Sequence, residues 1–507
     1  VAGCARIAAA PIAGAALALA FPPYDLWPLA FGAVAALSVL TRGRTMARGA
    51  AIGFGFGLGF FVVLLDWLRV VGWDAVLAAA ALEALFLIPV GTAFALTSAR
   101  RGWPIWQAAI WVAGEALRAR EPFGGLPWGR LAFAQADSPL SRLASLGGMP
   151  LVSLAVAAVG LFGLAAVHAA AATPRRGLLP LGAAAGVFGI ASLTSPAAGG
   201  PDHVTVAIVQ GNVPRAGYDT AVQQRVVFAN HVEATHALAT AIRDGRAPRP
   251  DFVIWPENSA DSDPFGHLSV AFSIDAAVDD VGAPTLVGAV LDAGPDHVRN
   301  AGIVWTPGRG AGQFYTKRHP VPFGEYLPMR RLLTKLISRF GRVPRDFEPG
   351  HRPGVLDVGP TRIGEVICFE IAYDDLVRDV VRGGGRVLVV QTNNATYGRT
   401  GQPEQQLAIT RLRAIEQGRA VVVAATSGIS AVVAPDGTVR HRTREFTREV
   451  TVSQIPLHGR LTLATRLGGW PEAAICVPAL VGIAASRPAR PGSRAAATVA
   501  NRGIETE

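Results

Sequence analysis

Lysine is almost missing from this 507-residue chain: Lys317 and Lys335 stand against 45 arginines. Cysteine is scarce too, with Cys4, Cys368 and Cys476 as the whole complement. Three cysteines so far apart give no disulfide framework and no paired ligand spacing, so neither a structural metal nor any other cofactor is expected. Cys4 and Cys476 lie in or beside apolar segments, where a small buried hydrophobe is the expected role. Charge is missing from one end. Residues 1–200 hold 7 Asp and Glu with 13 Arg, leaving 30 acidic and 34 basic residues for 201–507. In a chain that is 50% apolar, a half so poor in charge reads as lipid-embedded and the remainder as a mostly soluble domain. The net charge of +10 does not call for nucleic acid. Many arginines sit in short loops between apolar segments, where they set membrane topology.

Apolar segments near 5–21, 26–41, 50–72, 75–98, 103–117, 149–172 and 178–194, with an eighth near 471–486, are each about as long as a helical crossing of roughly 17–25 residues requires. Arg42, Arg44 and Arg48 follow the second, Arg100 and Arg101 the fourth, Arg175 and Arg176 the sixth, and Arg487, Arg490 and Arg494 the eighth. These alternate loops face the cytoplasm under the positive-inside rule, which sends the stretch between the seventh and eighth segments to the other side. The expected organisation is a membrane domain over 1–198, an extracytoplasmic domain over 199–470, a last transmembrane helix over 471–486 and a disordered basic cytoplasmic tail over 487–507.

The extracytoplasmic stretch alternates strands and helices. Val- and Ile-rich runs predict strands at His203–Gln210, Asp251–Trp255, Pro284–Val290, Ala301–Thr306, Gly312–Thr316, Arg362–Ile367, Arg386–Gln391, Ala420–Ala425 and Ile429–Ala434. Helical periodicity covers Thr220–Asp244 and Gln405–Gly418. Three polar groups close predicted strands: Glu257 after Phe252-Val-Ile-Trp-Pro, Lys317 after Phe314-Tyr-Thr, and Cys368 after Gly364-Glu-Val-Ile. Strand ends of α/β sheets are where scaffolds hold reacting groups. A chain that uses arginine almost everywhere yet lysine at 317 points to a need there for a compact ammonium. Together the three suit nucleophilic acyl transfer, with a thiol, a carboxylate base and a cation that stabilises the thiolate and the oxyanion.

The words around these residues are Val209-Gln-Gly-Asn212, Trp255-Pro-Glu257-Asn, Tyr315-Thr-Lys317-Arg-His-Pro-Val-Pro-Phe-Gly-Glu325-Tyr-Leu-Pro328, Ile367-Cys368-Phe-Glu370 and Arg411-Leu-Arg-Ala-Ile-Glu416-Gln-Gly-Arg419. They resemble the nitrilase (carbon–nitrogen hydrolase) superfamily and, within it, the bacterial apolipoprotein N-acyltransferases. Trp111, Glu115, Arg118 and Leu126-Pro-Trp128 extend the resemblance into the apolar half. It implies a multi-pass membrane domain of about eight helices with an inserted α-β-β-α sandwich. It also implies Glu257 as general base, Lys317 as electrostatic stabiliser and Cys368 as nucleophile, with Glu325 holding the lysine and Glu370 and Phe369 following the nucleophile in supporting positions. The implied partners are a phospholipid acyl donor and a diacylglyceryl lipoprotein acceptor, in the bacterial inner membrane.

Three departures from the family pattern are visible. Phe369 stands where a Tyr is usual, Asn393-Asn-Ala-Thr-Tyr-Gly398 replaces Asn-Asp-Ala-Trp-Phe-Gly, and the aromatic after Gln210-Gly-Asn is missing, with Tyr218 nearby. The same triad also serves a membrane-tethered amidase, and a catalytically silent lipoprotein-binding scaffold would share the body. In Arg330–Phe340, Leu332, Leu333, Leu336, Ile337 and Phe340 share a helical face among basic residues. Such a helix either lies on an anionic membrane surface beside the site or packs on its own domain.

Overall fold

The computed structural model describes residues 2–195, 200–213, 221–260, 262–336 and 345–486, with the side chains of 2–4, 221–224 and 336 outside the description. The expected role of Cys4, the placing of Tyr218, the C-terminal half of the basic amphipathic stretch and the tail after 486 therefore lie outside the described residues.

The apolar half folds as α1 (Ala2–Ala18), α2 (Leu29–Thr41), α3 (Met46–Leu64), α4 (Trp73–Leu85), α5 (Leu87–Thr97), α6 (Trp103–Arg118), α7 (Ala144–Ala172) and α8 (Pro174–Leu193). The expected single segment at 75–98 is two helices in register, parted at Phe86 where Pro89 cannot donate to the carbonyl of Leu85. The segment expected to begin at 149 begins instead at Ala144 and turns at Gly147 and Gly148. Among the described residues, four helical stretches are long and apolar enough to cross a membrane: Met46–Leu64, Trp73–Thr97, Pro139–Ala172 and Pro174–Leu193. Helices α1 and α2 are apolar but shorter, and α6 carries two inward-facing charges, Glu115 and Arg118. Small residues let these helices meet backbone to backbone. A Cβ on Gly59 would lie 2.0 Å from the Pro11 carbonyl oxygen, and one on Gly53 would lie 2.1 Å from that of Leu87.

The second half is two stacked sheets between helices. Its elements in chain order are β1 (His203–Gln210), α9 (Ala221–Arg243), β2 (Phe252–Ile254), α10 (Leu268–Val281), β3 (Thr285–Asp292), β4 (His297–Thr306), β5 (Gly310–Thr316), α11 (Arg330–Leu336), β6 (Asp346–Phe347), β7 (Gly354–Val358), β8 (Thr361–Ile367), α12 (Asp374–Arg382), β9 (Val387–Thr392), α13 (Gln402–Gln417), β10 (Val421–Ala425), β11 (Ala431–Val433), β12 (Val439–Arg442) and β13 (Glu449–Pro456). Helices α14 (Leu463–Leu467) and α15 (Trp470–Ala484) return to the apolar half. One sheet runs β13-β1-β2-β3-β4-β5 with β6 beside β4, and the other runs β12-β11-β10-β9-β8-β7. Alternating residues of the two sheets, such as Ile208, Ile254, Ile363 and Val389, meet in a buried layer between them. The outer face of the first sheet is covered by α9 and α10.

The second sheet's outer face joins the apolar half. Val366, Leu376, Val380, Leu407 and Leu412 share one continuous core with Phe61, Phe133, Leu143 and Met149. Polar contacts fix this seam. Gln405 of α13 accepts from the indole N–H groups of Trp67 (3.1 Å) and Trp128 (2.7 Å), and donates to the carbonyls of Pro22 (3.1 Å) and Leu64 (3.2 Å). Its amide is thereby fully used. Arg413, fully buried, donates to the carbonyls of Ile371 and Ala372 and pairs with Glu416 and Asp374, while Arg130 reaches Asp374 from the other side. Cys476, expected to be buried, is half-buried on α15.

Candidate active site

Each of the three chemistry-bearing residues leaves the end of a strand. β2 stops at Ile254 because Pro256 has no N–H to offer the sheet. The buried Trp255, whose indole donates to Thr235 Oγ1 at 2.9 Å, then aims the chain at Glu257. Lys317 follows β5, its own N–H still held by the Asn300 carbonyl at 2.8 Å. Cys368 follows β8 with φ at +55°, the left-handed region that a non-glycine residue enters at a cost. That reversal starts the tight turn Cys368–Ala372, and the Glu370 carboxylate steadies it by accepting from the N–H of Ile367 at 2.7 Å.

The three converge. Glu257 is 3% exposed and Lys317 1%, while Cys368 is half-buried. The Lys317 ammonium donates to Glu257 Oε1 at 3.0 Å and to Glu325 Oε1 at 2.8 Å. Asn300 Nδ2 bridges the same two oxygens at 2.7 and 3.2 Å, and the N–H of Asn393 holds Glu257 Oε2 at 2.8 Å. The other oxygen of Glu325 accepts from the N–H of Val321 at 2.7 Å. On the far side the Thr392 hydroxyl, within reach of Gln406 Nε2 at 3.1 Å, donates to Cys368 Sγ at 3.2 Å.

Burial acts to lower the Lys317 pKa, but Glu257, Glu325 and Cys368 outweigh it and hold the ammonium well above the ordinary lysine range. Burial, and after it the charge of Glu257, pushes the Cys368 thiol up to about 12, against the opposing pull of Lys317 and the Thr392 hydroxyl. The resting site therefore holds a neutral thiol beside a charged lysine. A thiol in this state can act as a nucleophile only if its proton is removed as it attacks.

Glu325 is hydrogen-bonded to the lysine. Among the described residues, Glu370 does not touch the lysine and pairs with no arginine side chain. It accepts from the Tyr315 hydroxyl at 2.9 Å and from the N–H groups of Arg318 (2.7 Å) and His319 (3.0 Å), which ties the lysine's loop to the cysteine's turn. Phe369 stacks on Trp128 with ring centres 5.3 Å apart and planes 8° from parallel. In the altered Asn-Asn-Ala-Thr-Tyr-Gly word, Tyr397 meets Trp67 edge-on at 5.0 Å. Sequence reasoning missed Asn300, Thr392 and Gln406. Asn300 lies on β4, 17 residues before Lys317 but beside it across the β4–β5 pairing, a neighbourhood that only the strand register reveals.

The family profile for the apolipoprotein N-acyltransferase N-terminal domain matches residues 13–197, and that for carbon-nitrogen hydrolase matches residues 274–462. An apolipoprotein N-acyltransferase of Mycolicibacterium smegmatis is 41% identical over 94% of this chain and 84% of its own length. That of Azotobacter vinelandii is 30% identical over 92% of each. Among solved structures, an amidase from Nesterenkonia sp. AN1 in complex with acrylamide aligns over 50% of this chain and 91% of its own, with a TM-score of 0.38 and 16% identity. Alignment over nearly the whole chain at that identity, with a family profile matched in each half, makes this chain a member of the apolipoprotein N-acyltransferase family.

Proposed function

We propose that the protein takes an acyl chain from a phospholipid onto Cys368 as a thioester and passes it to the α-amine of a diacylglyceryl cysteine at a lipoprotein N-terminus. The observation that carries this reading is the Lys317 ammonium, held at 3.0 and 2.8 Å between Glu257 and Glu325 beside a thiol on a left-handed elbow. In the first half-reaction Glu257 accepts the thiol proton as sulfur attacks the ester carbonyl, and Lys317 with a backbone N–H after Cys368 stabilises the oxyanion. Collapse breaks the ester C–O bond. The departing lysophospholipid oxygen takes the proton from Glu257. In the second half-reaction the amine attacks the thioester, Glu257 takes a proton from the nitrogen, and the thiolate leaves and is reprotonated. No metal or organic cofactor is needed for either step.

The site lies in a membrane protein, and we assign seven spans within 1–198 and one at 471–486, with 199–470 on the extracytoplasmic side. The arginines at 42, 44, 48, 100, 101, 175 and 176 support that orientation. A membrane-impermeant thiol probe on intact cells is expected to label a cysteine introduced at Gly294, and none introduced at Arg175. The opposite pattern would put the chemistry in the cytoplasm.

The function is tested with purified protein, phospholipid and a diacylglyceryl-cysteine lipopeptide. Mass spectrometry should find the lipopeptide heavier by one acyl chain, at the amine. Free fatty acid with no acylated peptide would mean that water resolves the thioester, the amidase-like outcome. No turnover of either kind would leave a binding scaffold.

A further inference from the structure

Beneath the triad, the apolar layer between the sheets is interrupted by two polar side chains. Glu365 of β8 faces inward in step with Ile363 and Ile367, and Gln391 of β9 in step with Val387 and Val389; both are 0% exposed. Gly302 of β4 makes their room. A Cβ on that glycine would lie 1.8 Å from Glu365 Oε1 and 2.6 Å from Gln391 Oε1. The Gln391 nitrogen donates to the Trp255 carbonyl at 2.5 Å and reaches toward the Leu286 carbonyl at 3.5 Å. Both carbonyls are acceptors only, so the amide cannot be turned over, and its oxygen is left on the Glu365 side. Among the described residues no donor reaches Gln391 Oε1 or either carboxyl oxygen of Glu365. Gathered acceptors in one apolar layer each forfeit a protein hydrogen bond unless one of them carries a proton.

We infer that Glu365 is a neutral carboxylic acid whose O–H donates to Gln391 Oε1, and that through Gln391 it positions the Trp255 carbonyl, two residues ahead of Glu257. It is a positioning residue, touching no reacting atom, and only its effect on rate rests on reading Glu257 as the base. The titratable groups facing it are Glu370, on the turn after Cys368, and Tyr315 of β5. β4, β7 and β9 bring Gly302, Gly354 and Gln391, none of which titrates. Burial, and then the charge of Glu370, holds the Glu365 carboxyl well above the usual carboxylate range, as a retained proton requires. The folded state keeps a proton that the unfolded chain releases above about pH 4.3, so this stability is full at low pH and declines as pH rises toward the folded value.

Thermal unfolding of the full-length protein in detergent, wild type against Glu365→Gln, tests the proton. Glutamine offers a permanent donor at the same place. Its Tm should gain on wild type as pH rises from about 5 to about 8, on the order of 2 °C per pH unit. A gap that stays flat or moves the other way means an ionised Glu365, and the inference falls whatever the activity. Rate tests the positioning. Glu365→Leu removes the donor and should lower kcat by roughly tenfold or more with KM retained, and Glu365→Gln should recover most of that loss. Should the leucine variant not fold, Gln391→Met cuts the same link and should lower kcat alike. Wild-type kcat in the folded link-breaking variant would overturn the positioning role. Absent turnover in the wild type itself would fault the reading of the triad, while the thermal comparison still decides the proton.

Discussion

Protein incubated with phospholipid alone will gain the mass of one acyl chain, hydroxylamine will remove it, and Cys368→Ala will never acquire it. The reason lies in the resting electrostatics. With the thiol pushed up to about 12, almost none of it is ionised at neutral pH, so on the proposed mechanism reactivity depends on Glu257 taking the proton as attack proceeds. Alkylation by iodoacetamide, which has no oxyanion to stabilise, should therefore be slow at pH 7 and rise about tenfold per pH unit toward pH 9, tracking the thiolate fraction. Cys368→Ser should be nearly inactive, since an alkoxide is far harder to generate beside the same carboxylate. Wild-type protein that N-acylates a lipopeptide without ever carrying acyl mass would exclude the covalent route.

Lys317→Arg is expected to fold and yet to lose on the order of 10²–10³ in acyl transfer, although the charge is kept. The ammonium is 1% exposed and spans two carboxylate oxygens at 3.0 and 2.8 Å. A guanidinium is wide and planar and spreads its charge over a fork, so it can satisfy both carboxylates only by moving its donors away from the point where the oxyanion forms. Lys335→Arg is the control, since Lys335 is exposed and its exchange changes no buried geometry. Equal wild-type rates in both variants would show that the lysine at 317 has no special task.

How much of this was legible depended on whether the signal was local. Strand β1 begins and ends where alternating Val and Ile say it should, and the runs before Glu257, Lys317 and Cys368 all proved to be strands. Helix α12 was missed because it is only Asp374–Arg382, with too few turns to show a period, and α10 because Ala, Ser and Asp dilute its pattern. The strand β13 was missed because Val450 and Val452 share one face while Ile455 falls on the other, so no alternation is sustained, and its partner β1 lies more than 200 residues away. The site divided in the same way. Glu325 stands eight residues from Lys317 inside one word, and it bonds the lysine. Thr392, Asn393 and Asn300 reach Cys368 and Glu257 only through the stacking of β4, β8 and β9, which no spacing in the chain encodes.

The seam at Gln405 bears on what can be dissected. Four hydrogen bonds from one amide, and a core running from Val366 to Met149 without a break, leave no hinge between the sandwich and the helices on which it sits. Excising 199–470 would strip α12 and α13 of their cover and expose Leu376, Val380, Leu407 and Leu412 to water. It would also remove Trp128 from beneath Phe369, one residue from the thiol. The catalytic machinery is in this sense not a passenger on an anchor. Its floor is made from the apolar half, and the two are expected to fold only together.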